Sequence, residues 1–412
     1  MADRRDLAGL AAMLLAAGCA RPELGPGATP VSAVPDIRVA VVPAAASVTV
    51  GGGVALMLRG ADGSGMVAIP AGVPAVVSSV PQGLRVRFST EDVVVPALLN
   101  VAAADSGSPV RLSGRDYRGN AVLSAVGPSV MAVNVVGLEE YLRGVVGAEM
   151  GKRTEQDLAA LRAQAIVSRT VALRRAGQWR TRGYDLLATV ADQAYAGIGF
   201  ETAMSDQAVA ETAGQVLTFE GRLIDAFFHS TCGGRTADGT EVYAGADRPY
   251  LRSIRDQDES GRAWCAISPR FRWQERWTGE ALARTLRETL PAAGAPADLA
   301  GSLRDIRVVD RTPTGRVAHL EIDGDGDRYT VPGPVARLVL RSTDGSMLRS
   351  ATFNLQVGRE GGRIVQLVAE GSGAGHGVGM CQWGALGRAR AGIPSEDILS
   401  AYFPGTEVTR TY

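Results

Sequence analysis

The chain has 412 residues, enough for one large or two ordinary domains, and 46% of them are apolar and 5% aromatic. Its 43 basic and 43 acidic residues cancel, so bulk charge makes no case for a nucleic-acid partner. Fifty-one glycines point to many turns and β connections, and no internal apolar run is long enough to span a bilayer.

The N-terminus carries a short apolar core, Leu7 to Ala17, behind Arg4 and Arg5 and ahead of Gly18-Cys19. That is the size of a signal-peptide core and too short for a transmembrane helix. Leu15 to Cys19 is similar to a lipobox, although Asp3, Asp6 and Ala16 depart from the usual pattern. Residues 1–19 therefore read as a signal peptide with Cys19 as the lipidated membrane anchor. The competing reading is an ordinary helix that stays attached. Residues 20–35, rich in Pro, Gly and Ala, read as a disordered tether. Both stretches suit an exported lipoprotein of the cell envelope, on the periplasmic face.

Residues 36–127 hold short Val/Ile/Leu runs separated by Gly, Pro and Asp clusters, the signature of antiparallel β structure. No titratable cluster stands out there, so a supporting β region is expected in preference to a positioning or binding role. A β-like run from Val130 to Val136 then feeds Gly137 and a short helix, LEEYLRGVVGAEM. After a break at Gly151, Leu158, Leu161, Ala165, Val167, Ala172 and Leu173 mark a longer helix. Glu149 ends the first helix among Gly147, Ala148 and Met150. A carboxyl group in apolar surroundings makes a general acid; the alternative is a solvated helix end. Glu139 and Glu140 fall off the apolar stripe and are expected on the helix surface.

Asp192, Gln193 and Tyr195 in DQAYAG are polar groups suited to binding a sugar, while turn chemistry explains an Asp and a Gly equally well. A helix from about Ser205 to Thr212 ends at Gly214, and a hairpin turning at Glu220-Gly221 follows. That hairpin delivers His229, Ser230, Thr231 and Cys232 into a Gly233-Gly234 bend. Ser230 and Thr231 are placed to bond the hydroxyls of a ligand or, alternatively, their own turn. Residues 270–300 read as a helical insertion whose Trp273 and Trp277 pack a core. Alternating β segments return from Ile306 to Leu355. The Asp323-Gly324-Asp325-Gly326 run among them lacks the rest of a calcium loop and reads as a plain turn.

The last block, GSGAGHGVGMCQWGALGRARAG, sets His376 among four glycines, before Gln382 and a helix near Ala385. Such a loop lets backbone pass close to a ligand. His376 and Gln382 are therefore candidate substrate contacts, and His376 a candidate proton partner for Glu149; a satisfied structural histidine competes. Cys19, Cys232, Cys265 and Cys381 are the four cysteines. With Cys19 lipidated, three remain and cannot all pair. Two arrangements stay open: a Cys232–Cys265 disulfide with Cys381 left over, or a structural zinc site of His229, Cys232, Cys265 and Cys381.

GLEEYLRGVVGAEM, LRAQAIVSRTVALR, DQAYAG, FFHSTCGGRT, RPYL and the final glycine-rich block occur in the order of the SpoIID/LytB family of bacterial cell-wall proteins, which the stretch from Val130 to Tyr412 resembles. The resemblance implies a lytic transglycosylase of peptidoglycan glycan strands, or a modifier of the amidases that strip them. By motif, Glu149 matches the family's catalytic glutamate. Glycan already freed of stem peptides is then the implied substrate, and a cell-wall amidase the implied partner. Some sporulation members are thought to hold a metal near the same hairpin, with a different arrangement of cysteines. One carboxyl group acting as acid and then base would suffice; Asp192, Glu139 and Glu140 are the candidates for a second. The expected architecture is α+β, with a β-rich region at 36–127 and a mixed α/β domain at 128–412 that carries an insertion at about 270–355.

Overall fold

Alternating apolar and polar residues from Asp36 onward place successive side chains on opposite faces, and the chain folds there into antiparallel strands. The structure, a computed structural model, describes residues 34–295, 299, 303–325 and 328–412. The signal peptide, Cys19 and most of the tether lie outside the described residues, as does Gly326 of the DGDG run. The fold is α+β. Its described residues form two units, one of 34–226 plus Glu407–Tyr412, the other within Phe227–Thr406. The chain thus divides immediately before the FFHST segment, and the β-rich region shares a unit with the helices that follow it.

In the first unit a seven-stranded sheet runs, in spatial order, Leu186–Leu187, Asp36–Ala45, Ser129–Gly137, Asn120–Val126, Leu98–Ala103, Leu56–Gly60 and Met66–Ile69. Only the Leu186–Leu187 pairing is parallel. A six-stranded sheet lies against it through Ser47–Gly51, Ala75–Val80 and Gly83–Phe88. Val39, Val48, Leu58, Val77, Leu99 and Leu123 are fully buried in this region.

Strand Ser129–Gly137 runs directly into α1 (Leu138–Met150), followed by α2 (Leu158–Arg175) and α3 (Ala203–Glu211), and the three helices contact one another. A Thr154/Asp157 capping box starts the turn before α2. The middle of α2 is buried on nearly all sides, polar Gln164, Ser168, Arg169 and Thr170 included, so each of these needs a partner inside the protein. The hairpin Gln215–Phe219/Arg222–Leu223 turns at Glu220 and Gly221, both at positive φ (52° and 72°), as a two-residue primed turn requires. Glu407–Arg410 adds a third strand to it.

In the second unit Arg272–Thr278, Arg363–Ser372 and Phe353–Glu360 form one three-stranded sheet, and Asp305–Arg311, Val317–Asp323 and Arg328–Pro332 another. Helices α4 (Gly279–Thr289), α5 (Gly333–Val339), α6 (Gln382–Arg390) and α7 (Ser395–Tyr402) complete it. Trp273 and Trp277 fill its core, but from a strand and not from the expected helix. A separation of four keeps two side chains on one face in either element, so their spacing could not decide. Among the described residues no helix is long and apolar enough to cross a membrane.

Candidate functional site

Helix α1 owes its placement to two of its glycines. A Cβ on Gly144 would sit 2.9 Å from the Tyr195 ring, and one on Gly147 would sit 1.9 Å from the Phe200 carbonyl. Without side chains at both positions, the 192–200 segment closes onto the helix. This brings the Ala194 N–H to Glu149, which it meets at Oε1 (2.8 Å). Glu149 is half-buried and oriented by that amide, not a solvated helix end.

The polar residues expected to bind sugar build this segment from within. Asp192 pairs with Arg175 and accepts the Leu187 N–H (2.8 Å), with its side chain 5% exposed. Gln193 is fully buried; its amide nitrogen donates to the Ser168 carbonyl (3.2 Å), and its Oε1 faces no donor among the described residues. The Tyr195 hydroxyl donates to Asn134 Oδ1 (2.9 Å), and Asn134 in turn donates to the Arg118 and Asn120 carbonyls. All three sequence candidates face inward, so they hold the Ala194 amide in place and are not surface ligands. The Tyr195 phenol is pushed well up, first by burial and then by the phenol of Tyr117 and the carboxylates of Glu201 and Glu140.

Glu139 also departs from expectation. It forms a two-pronged pair with the fully buried Arg169 (2.7 and 2.6 Å) and is contacted by the Tyr412 hydroxyl. Arg169 further donates to the Gln215 carbonyl (3.0 Å), so this pair ties α1 and α2 to the 215–219 strand. Glu140 is exposed, as expected. A charged residue one step off an apolar stripe reads as surface unless its partner is known, which is why the pair escaped sequence reasoning.

In the second unit, strand Phe228–His229 pairs in parallel with Met380–Cys381. The glycine-dense loop before Met380 is needed for protein packing. A Cβ on Gly375 would lie 2.8 Å from His229 Cβ, and one on Gly379 would lie 2.1 Å from the Phe227 carbonyl. His376 donates from Nε2 to the Phe228 carbonyl (2.7 Å) and accepts the Val378 N–H at Nδ1 (3.2 Å). That commits both ring nitrogens to backbone, so the imidazole braces the loop instead of relaying protons. Thr231 is buried, its hydroxyl 2.8 Å from that of Ser268, and Gln382 is buried at the start of α6. Ser230 is half-buried and 3.3 Å from the Thr231 hydroxyl.

The three cysteines of this unit converge. Cys232 Sγ lies 3.5 Å from Cys265 Sγ, and the Cys232 amide donates to Cys381 Sγ (3.1 Å). The fourth group is not His229, which donates from Nδ1 to the Val378 carbonyl (3.1 Å), packs against the His376 ring and lies outside the cluster. It is Asp256. One carboxylate oxygen of Asp256 and the three sulfurs all lie within 4.8 Å of one another, and all four residues are buried. Burial pushes the Cys232 and Cys381 thiols up, whereas contacts from both of them draw Cys265 down. Asp256 sits in DQDESGR, an acidic turn-like stretch, and nothing in its spacing to the cysteines marks it as a ligand.

Comparison with known proteins identifies the fold family. Residues 127–219 match the family described as Stage II sporulation protein, and residues 264–379 match a domain of unknown function. The chain is 30% identical to the Stage II sporulation protein D of Bacillus subtilis over 293 residues, which cover 68% of this chain and 76% of that protein. It belongs to the SpoIID family. An uncharacterized protein of Brachyspira hyodysenteriae is 26% identical over 299 residues, covering 72% of this chain and 73% of that protein. The Amidase enhancer of Bacillus subtilis is 27% identical over 296 residues, 65% of this chain but 40% of that larger protein. Glu149, Arg169 and the 192–200 segment all fall inside the matched SpoIID stretch; the cysteines fall outside it.

Proposed function

We propose that this chain is a peptidoglycan lytic transglycosylase with Glu149 as its single acid/base. The observation that carries the reading is Glu149 itself: a half-buried carboxyl group within the SpoIID stretch, oriented by the Ala194 amide. Protonated Glu149 donates its proton to the glycosidic oxygen between N-acetylmuramic acid and N-acetylglucosamine, and the C1–O bond breaks. The resulting carboxylate then takes the proton of the muramic 6-hydroxyl as O6 bonds to C1. The products are a 1,6-anhydro end and a free 4-hydroxyl, and no water is consumed. A paired-carboxylate hydrolase would need a second free acid. Of the candidates for that second acid, Asp192 and Glu139 are committed to arginines, and Glu140 sits nine residues before Glu149 on α1, about 13 Å along the helix axis, which supports the one-carboxyl route.

The likeness to the Amidase enhancer favours a second reading, in which the chain holds glycan without cutting it and stimulates a cell-wall amidase. Export to the envelope with Cys19 as a lipid anchor belongs to both readings. The test is mass spectrometry of fragments released from peptide-free glycan by the wild type and by Glu149→Gln. Anhydro-ended fragments from the wild type alone support the transglycosylase. Reducing ends point to a hydrolase. Binding without release from either protein moves the function to amidase stimulation.

A further inference from the structure

We propose that Cys232, Cys265, Cys381 and Asp256 form a closed tetrahedral zinc site that is structural. The four donors come from separate segments: the 228–234 bend, the 255–257 stretch, the 264–267 turn and the start of α6. Zinc bonds of roughly 2.3 Å to sulfur and 2.0–2.2 Å to oxygen set tetrahedral neighbours about 3.5–3.8 Å apart. Cys232 Sγ lies 3.5 Å from Cys265 Sγ and 3.2 Å from Asp256 Oδ2, so these pairs are already close to that spacing, and all four donors lie within 4.8 Å of one another.

The surroundings suit anionic sulfur. Backbone N–H groups donate to Cys232 Sγ from Gly234 (3.3 Å) and to Cys381 Sγ from Cys232 (3.1 Å) and Gly384 (3.2 Å). Three thiolates and a carboxylate exceed the charge of one zinc ion by two. Arg388 meets Asp256 Oδ1 (3.1 Å) and so offsets part of that excess, while the Tyr402 hydroxyl donates to the same carboxylate (2.8 Å). Such outer partners fix a ligating carboxylate in position. The packing is built around them: a Cβ on Gly384 would lie 2.2 Å from Asp256 Oδ2 and 2.1 Å from the Tyr402 hydroxyl. A Cys232–Cys265 disulfide would account for two of the three converging sulfurs and leave Cys381 outside the pairing. With four protein ligands no position stays open for water, so the ion holds segments together and takes no part in glycan chemistry.

The experiment is metal analysis of the full chain purified under air, with each cysteine followed separately by alkylation and peptide mass spectrometry. One zinc per chain is expected, with Cys232, Cys265 and Cys381 protected until a chelator is added. Asp256→Cys should keep one metal ion and, loaded with cobalt, raise the thiolate charge-transfer band by about a third as three sulfurs become four. Asp256→Ala should weaken zinc binding at least about tenfold, and His229→Asn should leave stoichiometry unchanged. A metal-free wild type with a Cys232–Cys265 cross-link, or an iron–sulfur chromophore, overturns the proposal. Loss of zinc from a folded His229→Asn protein overturns Asp256 as the fourth ligand.

Discussion

Two corners of this protein use one packing device for different ends. In α1, Gly144 and Gly147 are three residues apart and clear one side of the helix for the 192–200 segment. In α6, Gly384 and Gly387 do the same for Asp256 and for Trp264, whose carbonyl would lie 2.2 Å from a Cβ on Gly387. What arrives at the cleared face differs. At α1 it is a backbone amide that orients one half-buried carboxyl group. At α6 it is a buried carboxylate that joins three buried sulfurs. Close approach alone therefore does not predict chemistry; the exposure of the group delivered does.

The comparison breaks most visibly if Glu149 proves dispensable. Glu149→Gln keeps the shape of the side chain and should leave stability within about 0.5 kcal/mol, while release of anhydro fragments falls about 10²- to 10⁴-fold. Urea unfolding and fragment mass spectrometry on one preparation would read both numbers. Next comes the buried pair that supports the first corner. Arg169→Met leaves Glu139 without its cation at a site where the arginine is fully buried, a loss of about 3–5 kcal/mol for breaking such a pair. The double variant with Glu139→Gln should regain part of that loss in denaturant titrations, because the two residues act as one unit. If the single and double changes simply add, the pair is not what joins α1 to α2.

Much of this arrangement was legible from residue order. The run LEEYLRGVVGAEM and the break at Gly151 mark α1 to within its observed bounds, because amphipathic spacing and a glycine stop are local signals. Glu149 was singled out by its small neighbours and by the family motifs. The orientation of DQAYAG was not legible: whether Asp192, Gln193 and Tyr195 face sugar or core depends on two helices closing over them, α2 at Arg175 and Ser168 and the more distant α1 at Gly144. Asp256 was missed for a similar reason. Cysteine and histidine announce themselves as metal ligands, whereas an aspartate in an acidic stretch looks like a solvated turn until the fold buries it.

The two glycine faces can be filled one at a time to sharpen the contrast. Gly147→Ala sets a methyl group against the Phe200 carbonyl, and Gly387→Ala sets one against the Trp264 carbonyl. Backbone cannot swing aside as a side chain can, so each should cost about 1–3 kcal/mol. The readouts should separate. The Gly147 change should lower turnover, since Ala194 moves with its segment, and the Gly387 change should lower zinc retention. Turnover that survives a confirmed shift of the 192–200 segment would remove the positioning role from the Ala194 amide.

The smallest effect tests the first corner at its base. Tyr195→Phe deletes the hydroxyl bonded to Asn134 and should cost about 1 kcal/mol at neutral pH. Burial chiefly holds this phenol protonated beyond its ordinary value of 10. A raised folded value means that the stability it contributes is fully present below about pH 10 and is lost as pH climbs toward the folded value. Over that range the unfolded chain sheds a proton that the folded chain keeps, so Tyr195 alone steepens the alkaline decline by about 1.4 kcal/mol per pH unit. The Phe variant should be less stable than wild type at pH 7 yet lose stability more slowly above pH 10, and the two curves should converge. Tyr117, Tyr141, Tyr402 and Tyr412, also raised mainly by burial, remain in both proteins and contribute to the slope that persists. Parallel curves would mean that the Tyr195 ring reaches water in the native state and that the segment carrying Ala194 opens without unfolding.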